Sequence, residues 1–85
     1  MDPSSQPLPA RALDLRRTPC PLNLIRARLT LEALEPGDWL QVDLDPGEPE
    51  LSVVEGLRQA GHAVQPVAHP EAPVVVRLLV QRDGG

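Results

Sequence analysis

Hydrophobic and polar residues change their spacing several times along the chain, and each change marks a predicted element. Residues 39–44 alternate with period two, which predicts a half-buried strand. Residues 11–15 alternate more weakly and predict a short strand before it. Residues 62–67 and 74–81 predict two further strands, joined by a loop that contains two prolines. The pattern therefore predicts four strands.

Two other segments have the features of helices. Residues 22–35 follow Pro21, which suits the first helical position, and contain no helix breaker before the Pro-Gly pair at 36–37. Residues 50–60 form a second amphipathic segment that Gly61 terminates. Its apolar positions are Leu51, Val54 and Leu57. Because strands that alternate with helices are joined by right-handed crossovers, the order βαβαββ predicts an α/β two-layer sandwich, with two helices packed on one face of a four-stranded mixed sheet.

Composition places limits on this fold. Residues 1–10 hold three of the eleven prolines, which predicts an extended, poorly ordered leader before a single domain at residues 11–85. The sequence has one Trp and no Phe or Tyr, so the core is expected to consist of Leu, Val, Ile and Ala. A chain of 85 residues buries a modest share of its surface, and its margin of stability is expected to be small.

Charge and cysteine content exclude several classes of protein. The net charge is −4 and all eight basic side chains are Arg, so neither a basic surface nor an aromatic stacking platform for nucleic acid is expected. The apolar runs are too short to span a bilayer. A single cysteine cannot form an internal disulfide, and the N-terminus lacks the pattern of a secretion signal. We therefore expect a cytoplasmic protein that binds neither membrane nor nucleic acid directly.

Cys20 is the residue with the clearest chemical potential. It lies directly before Pro21 at the start of the first helix, where the helix dipole and unpaired N–H groups favour an anionic thiolate. Four arginines near it in sequence add positive charge: Arg16, Arg17, Arg26 and Arg28. A thiolate in this setting is able to accept a sulfur atom and hold it as a persulfide. Position alone is equally compatible with a small buried side chain of no chemical role.

The first helix carries two apolar stripes rather than one. The stripe predicted to face the sheet contains Leu24, Ala27, Leu31 and Leu34. The opposite stripe contains Leu22, Ile25, Leu29 and Ala33. Because a two-layer domain covers one side of a helix, the second stripe is expected to stay at least partly exposed and to dock a partner protein beside the cysteine. The alternative is that the leader or loops cover it.

Other polar residues give weaker signals. Two histidines and two aspartates carry groups that bind metals, but no pair of them has a recognised ligand spacing. They are His62, His69, Asp43 and Asp45. The acidic segment at residues 43–50 is interpreted as solvated surface without chemistry. We therefore expect no metal and no cofactor.

Several segments together resemble the TusA/SirA family of sulfur-transfer proteins. They are Leu-Asp-Leu at 13–15, Cys-Pro-Leu-Asn at 20–23, Pro-Gly-Asp at 36–38, Asp-Pro-Gly at 45–47, Gly-His at 61–62 and the end of the chain from residue 81. The resemblance covers essentially everything after the leader and implies the same sandwich. The family's C-P-x-P motif starts its first helix, and the resemblance assigns its persulfide-carrying cysteine to Cys20. Here Asn23 replaces the second motif proline, and Pro19 stands where relatives often have Arg.

The resemblance implies a sulfur relay with two kinds of partner. A cysteine desulfurase or a rhodanese-type enzyme loads Cys20, and the sulfur then passes to an acceptor protein. Transfer RNA thiolation, molybdenum-enzyme maturation and sulfur oxidation all stay open as pathways. From the placement of charge, Arg17 and Arg26 are expected to support the thiolate and to steer an acidic donor towards it. Because the acids concentrate at residues 43–55, the molecule is expected to be polarised.

Two other functions stay open at this point. The first is a non-catalytic interaction or regulatory module that docks through the first helix, with Cys20 incidental. The second uses the terminal Gly84 and Gly85 as a thiocarboxylate, in the manner of ubiquitin-like sulfur carriers, although those folds begin with a β-hairpin before their helix. A reductant-labile sulfur on Cys20 supports the relay, whereas sulfur in place of oxygen at Gly85 supports the thiocarboxylate.

Overall fold

The computed structural model describes residues 8–83, which form six elements. They are β1 (Arg11–Asp14), α1 (Leu22–Glu32), β2 (Trp39–Leu44), α2 (Glu48–Gln59), β3 (Ala63–Val67) and β4 (Val76–Gln81). This order confirms the predicted βαβαββ arrangement, and the two helices pack against a four-stranded mixed sheet. Neither helix within residues 8–83 is long and apolar enough to cross a membrane. Residues 1–7 of the predicted leader, and the terminal Gly84 and Gly85, lie outside the described residues.

The sheet has the strand order β1-β2-β4-β3 and contains one parallel pair. β1 runs parallel to β2, with Leu13 opposite Val42, whereas β4 is antiparallel to both of its neighbours. The ladder continues past the end of β1, because the Leu15 N–H donates to the Asp43 carbonyl at 2.9 Å. Since parallel strands point the same way, the chain leaving β1 and the chain leaving β2 emerge at the same edge of the sheet. This edge carries the turn that leads to Cys20.

The core lies between the sheet and the two helices, and it is aliphatic as the composition predicts. Period-two alternation puts three residues of β2 inside, and β4 supplies cross-strand partners for them. The fully buried strand residues of this cluster are Leu40, Val42, Leu44, Leu78 and Val80. The helices add Ala27, Leu31, Val53 and Leu57 to the same cluster, so both helices cover one face of the sheet. Each buried Val or Leu contributes about 1.5–3 kcal/mol through removal from water.

Helix α1 has one buried and one exposed apolar stripe, as predicted. The buried stripe contains Ala27 and Leu31, with Leu24 and Leu34 partly buried at its margins. On the opposite side Leu22, Ile25 and Leu29 expose 46%, 48% and 61% of their surface. We call these three residues the exposed stripe.

Both helices differ from their predicted bounds. α1 ends at Glu32 rather than at residue 35, because the Ala33 and Leu34 N–H groups bond carbonyls three residues back and the chain then leaves the helix. α2 begins at Glu48 rather than at residue 50, since a proline is accepted in the first turn of a helix.

Leu51, one of the three apolar positions named for the amphipathic pattern of α2, is exposed. The buried side chains of α2 are Val53 and Leu57, with Val54 partly buried beside them. Leu51 lies roughly 120° around the helix from Leu57, and 68% of its surface stays in contact with solvent. Val53, and not Leu51, completes the buried face around Leu57.

Three strands are shorter than predicted. β1 ends at Asp14 and β3 begins at Ala63, one residue short in each case. β4 begins at Val76 rather than at residue 74, because residues 71–74 form turns and Val74 stays 70% exposed. These differences lie at the ends of the strands and leave the order of the sheet unchanged.

Gly56 brings α2 close to α1, and this contact is testable. A Cβ atom at position 56 would lie 2.5 Å from Leu24 Cδ2, so Leu24 must shift when Gly56 is replaced. We predict that Gly56→Ala lowers the free energy of unfolding in urea by about 1–2 kcal/mol through overpacking. In a Leu24→Ala background the clash is absent. There Gly56→Ala should raise the free energy of unfolding by up to about 1 kcal/mol, because Ala favours helix more than Gly does. If Gly56→Ala changes the free energy of unfolding equally with Leu24 and with Ala at position 24, then Leu24 does not limit the space at position 56.

Candidate functional site

Cys20 lies on the surface between β1 and α1. It is exposed, and it immediately precedes Pro21, the N-cap residue of α1. Pro21 stands at the helix boundary, where its missing N–H leaves no intrahelical bond unmade. The exposure of Cys20 meets the first requirement of sulfur transfer, which is access for another reactive group.

The first turn of α1 leaves few amides unpaired. The Asn23 N–H donates to the Pro19 carbonyl at 3.0 Å, and the Leu24 N–H donates to the Asn23 side-chain oxygen at 2.6 Å. Within residues 8–83 no acceptor receives the Leu22 N–H. The start of α1 therefore keeps the Leu22 amide available to an anion.

Asn23 is completely buried, which its position in the motif does not reveal. Its side-chain oxygen accepts the Leu24 N–H, whereas its Nδ2 group has no hydrogen-bond partner within residues 8–83. A buried polar group without a partner costs about 1–3 kcal/mol. The unpaired Nδ2 group is therefore a local cost to stability, beside the bond that the same side chain makes to the Leu24 N–H.

Residues 15–18 form a tight turn that leads the chain from β1 towards Cys20. The Thr18 N–H donates to the Leu15 carbonyl at 3.1 Å, and Arg17 has a φ of 63°. This left-handed conformation costs a residue other than glycine roughly 1–2 kcal/mol. The turn is anchored by the Leu15 side chain, which is buried in the core.

Two carboxylates hold the backbone of this turn. The Arg16 N–H donates to Asp14 Oδ1 at 3.0 Å, and the Arg17 N–H donates to Asp45 Oδ2 at 2.8 Å. Asp45 reaches the turn because it follows β2, which ends at the same edge of the sheet as β1. The sequence around Asp45 predicts solvated surface and does not reveal this contact. The signal that points to it is the parallel pairing of β1 with β2, which puts the residues after the two strands side by side.

The four arginines near Cys20 in sequence do not act as one group. Arg16 donates to Asp14 from Nε and Nη2, and each of these bonds is 2.9 Å long. The bonds raise the pKa of Arg16 and lower the pKa of Asp14 to about 2, so the charge of Arg16 is already paired. The other three form no salt bridge within residues 8–83: Arg17, Arg26 and Arg28.

The expected separation of acids from arginines does not hold at the Cys20 turn. Asp14 and Asp45 both lie against that turn. Asp43 lies on the sheet face away from the helices, where Arg77 donates to it from Nε at 2.9 Å and from Nη2 at 3.1 Å. The prediction of a polarised molecule was wrong here because the parallel strands fold the acidic segment back beside the basic one.

The exposed stripe begins two residues after Cys20 and has arginines on both sides. Arg26 lies four residues after Leu22 and Arg28 lies three residues after Ile25, so both border the stripe on the helix surface. A shallow depression of about 220 Å³ is lined by Ile25, Arg28, Leu29 and Glu32. The surface next to Cys20 thus combines apolar side chains with positive charge.

The histidines hold backbone segments in place. His62 Nδ1 accepts the Asp83 N–H at 3.0 Å, and His69 Nδ1 accepts the Glu71 N–H at 2.9 Å. The structure does bring His69 near Asp43, with 3.6 Å between Nε2 and Oδ2. Within the described part of the chain, however, no three His, Cys, Asp or Glu side chains are grouped so that they could hold a metal ion.

Comparison with known proteins identifies the class to which this fold and site belong. The sequence model of the family described as "Sulfurtransferase TusA" matches residues 11–82, and the chain belongs to this family. A crystal structure of a SirA-like protein from Desulfitobacterium hafniense superimposes with a TM-score of 0.73, at 19% sequence identity, covering 86% of this chain and 97% of the other. At this identity the likeness shows a shared fold. No curated protein matches the sequence significantly.

The ion pair at the base of the turn predicts a pH dependence of stability. The bonds from Arg16 hold the pKa of Asp14 at about 2, below its ordinary value of 3.8. The carboxylate therefore stabilises the fold above about pH 4, and this contribution is lost as the pH falls through about 2. We predict that Asp14→Asn, which keeps an oxygen for the Arg16 N–H, lowers the free energy of unfolding at neutral pH and has no effect at the acid limit. Urea unfolding of the natural protein and of Asp14→Asn across this pH range measures the difference in their free energies of unfolding. A difference that stays constant with pH would show that the ion pair does not stabilise the fold.

Proposed function

We propose that this protein is a sulfur carrier that holds sulfur as a persulfide on Cys20 and passes it to an acceptor protein. The observation that carries the proposal is the exposed cysteine at the N-terminus of α1, in a chain that belongs to the TusA family. The adjacent Pro21 and the buried Asn23 define where that helix begins. Cys20 is thus presented at a fixed boundary between a turn and a helix.

The transfer is a displacement at sulfur that needs no added oxidant or reductant. The Cys20 thiolate attacks the terminal sulfur of a donor's persulfide, a new S–S bond forms at Cys20, and the donor's S–S bond breaks. The electron pair of the broken bond leaves on the donor cysteine, which is regenerated as a thiolate. A nucleophile of the acceptor then takes the terminal sulfur from Cys20 by the same exchange, which returns Cys20 to the thiolate.

The partners follow from this chemistry. The donor must carry its sulfur as a persulfide, which is the form that a cysteine desulfurase or a rhodanese-type enzyme supplies. The acceptor must offer a nucleophile to the exposed end of α1. The cytoplasm suits such a carrier, because a lone reactive thiol stays reduced there.

The exposed stripe is proposed to dock these partners beside Cys20. Covering Leu22, Ile25 and Leu29 removes apolar surface from water, which favours association by roughly 25 cal/mol for each Å² buried. Arg17 and Arg26 are the arginines proposed to attract an acidic partner, and salt is expected to weaken their effect.

Loading by a desulfurase tests the assignment of Cys20. We predict that incubation with a cysteine desulfurase and cysteine adds the mass of one sulfur atom to the protein, on the peptide that contains Cys20, and that a reductant removes it. Cys20→Ser should gain no sulfur because it lacks the thiolate that attacks the donor. Mass spectrometry of the intact protein and of its peptides measures both.

Two other results would point elsewhere. Sulfur on the C-terminal residue would support a thiocarboxylate carrier. A protein that takes up no sulfur, and whose cellular function survives Cys20→Ser, would support an interaction module that works through the exposed stripe, which is the structural feature that favours this second function.

The docking surface is tested by a charge placed on the exposed stripe. We predict that Leu29→Asp slows loading of Cys20 by the desulfurase about tenfold, because a buried unpaired carboxylate opposes docking. The alkylation rate of Cys20 by iodoacetamide should stay unchanged, since that small reagent needs no docking surface. Stopped-time mass spectrometry measures both rates.

A matched control comes from the second helix. Leu51→Asp places the same charge on a leucine of similar exposure in α2 and should leave loading unchanged. Equal slowing by the two variants would show that the stripe on α1 has no special part in docking. The loading assay is repeated at increasing ionic strength with the natural protein and with Arg17→Ala and Arg26→Ala. The comparison shows whether these two arginines attract the donor, since salt is expected to weaken that attraction.

A further inference from the structure

Asp45 connects the end of β2 to the turn that precedes Cys20. Its Oδ2 accepts the Arg17 N–H at 2.8 Å across a separation of 28 residues in sequence. We propose that Asp45 is a positioning residue for Cys20: its carboxylate holds the turn in the conformation from which the thiol is presented. This inference rests on the proposed function and adds to it a residue outside the C-P-x-N segment.

The other bonds of the turn are local or belong to the sheet. The Arg16 N–H finds its acceptor two residues back on Asp14, and the Thr18 N–H finds its acceptor three residues back. The Leu15 N–H extends the β1–β2 ladder. The bond from Asp45 is therefore the side-chain contact, among the described residues, that ties the backbone of this turn to a distant part of the chain.

The tether acts on the residue of the turn with the least favourable backbone. Arg17 has a φ of 63°, in the left-handed region that side chains other than glycine rarely occupy. The turn keeps that conformation only where surrounding contacts impose it. Without the Asp45 carboxylate, the Arg17 N–H loses its acceptor and the turn is free to relax.

A change at Arg17 reaches Cys20 through a short and restricted segment. Two residues, Thr18 and Pro19, separate them, and the proline ring limits rotation of its own backbone. The Pro19 carbonyl also accepts the Asn23 N–H, which links this segment to α1. Asp45 thereby influences the position of the Cys20 thiol through the backbone, without a contact to sulfur.

The asparagine variant separates positioning from a direct effect of charge. Asp45→Asn keeps an oxygen that accepts the Arg17 N–H but removes the negative charge, whereas Asp45→Ala removes both. Asp38→Ala is a matched control, because Asp38 also accepts a backbone N–H, that of Glu35 at 3.2 Å, beyond the opposite end of α1. Three readouts are compared: desulfurase loading of Cys20, the pH profile of its alkylation by iodoacetamide, and hydrogen exchange of the Arg17 amide.

We expect Asp45→Ala to speed hydrogen exchange of the Arg17 amide and to slow sulfur loading of Cys20 about tenfold. Asp45→Asn should have exchange and loading rates close to those of the natural protein. Asp38→Ala should change neither rate. If Asp45→Asn and Asp45→Ala shift the alkylation profile to the same extent and slow loading equally, Asp45 acts through its charge and the proposal is overturned. Unchanged Arg17 exchange in Asp45→Ala also overturns it. A protein that takes up no sulfur in any form contradicts the proposed function, and the exchange and alkylation data still decide the role of Asp45.

Discussion

The parallel pairing of β1 with β2 places the chain that leaves Leu15 beside the chain that leaves Leu44. The position of the turn before Cys20 depends on that constraint. It positions the turn before Cys20 at the edge of the sheet, and it brings Asp45 within hydrogen-bond distance of that turn. It also forces the connection between the strands to be a crossover helix, so that the cysteine stands where the turn becomes α1.

A small aliphatic core leaves part of α1 without a partner inside the domain. One side of the helix fills the space above the sheet with Ala27 and Leu31, while Leu22, Ile25 and Leu29 face outward. A protein of two layers has no third layer to cover them. The same geometry that stabilises the fold therefore leaves an apolar surface next to the exposed Cys20.

The fold was predictable where the signals are local. Strict alternation in β2, the stop after α1 and the proline beside Cys20 each depend on neighbouring residues, and the family resemblance agrees with them. The contact between Asp45 and Arg17 joins residues 28 positions apart, so it follows only once the strand pairing is known. The burial of Asn23 and the exposure of Leu51 depend on how each helix is rotated against the sheet, which apolar spacing alone sets within a wide range. Charge was the least predictable property, because folding placed Asp45 beside Arg17, which the sequence separates from the acidic segment.

Cyanolysis tests whether Cys20 holds a transferable sulfur atom. Protein loaded by a desulfurase with cysteine that carries labelled sulfur is separated from the enzyme and treated with cyanide, which attacks the terminal sulfur and releases the Cys20 thiolate. If Cys20 carries the sulfur, we expect one labelled thiocyanate per chain and none from Cys20→Ser. Label that stays on the protein, or that is released equally from Cys20→Ser, would contradict it.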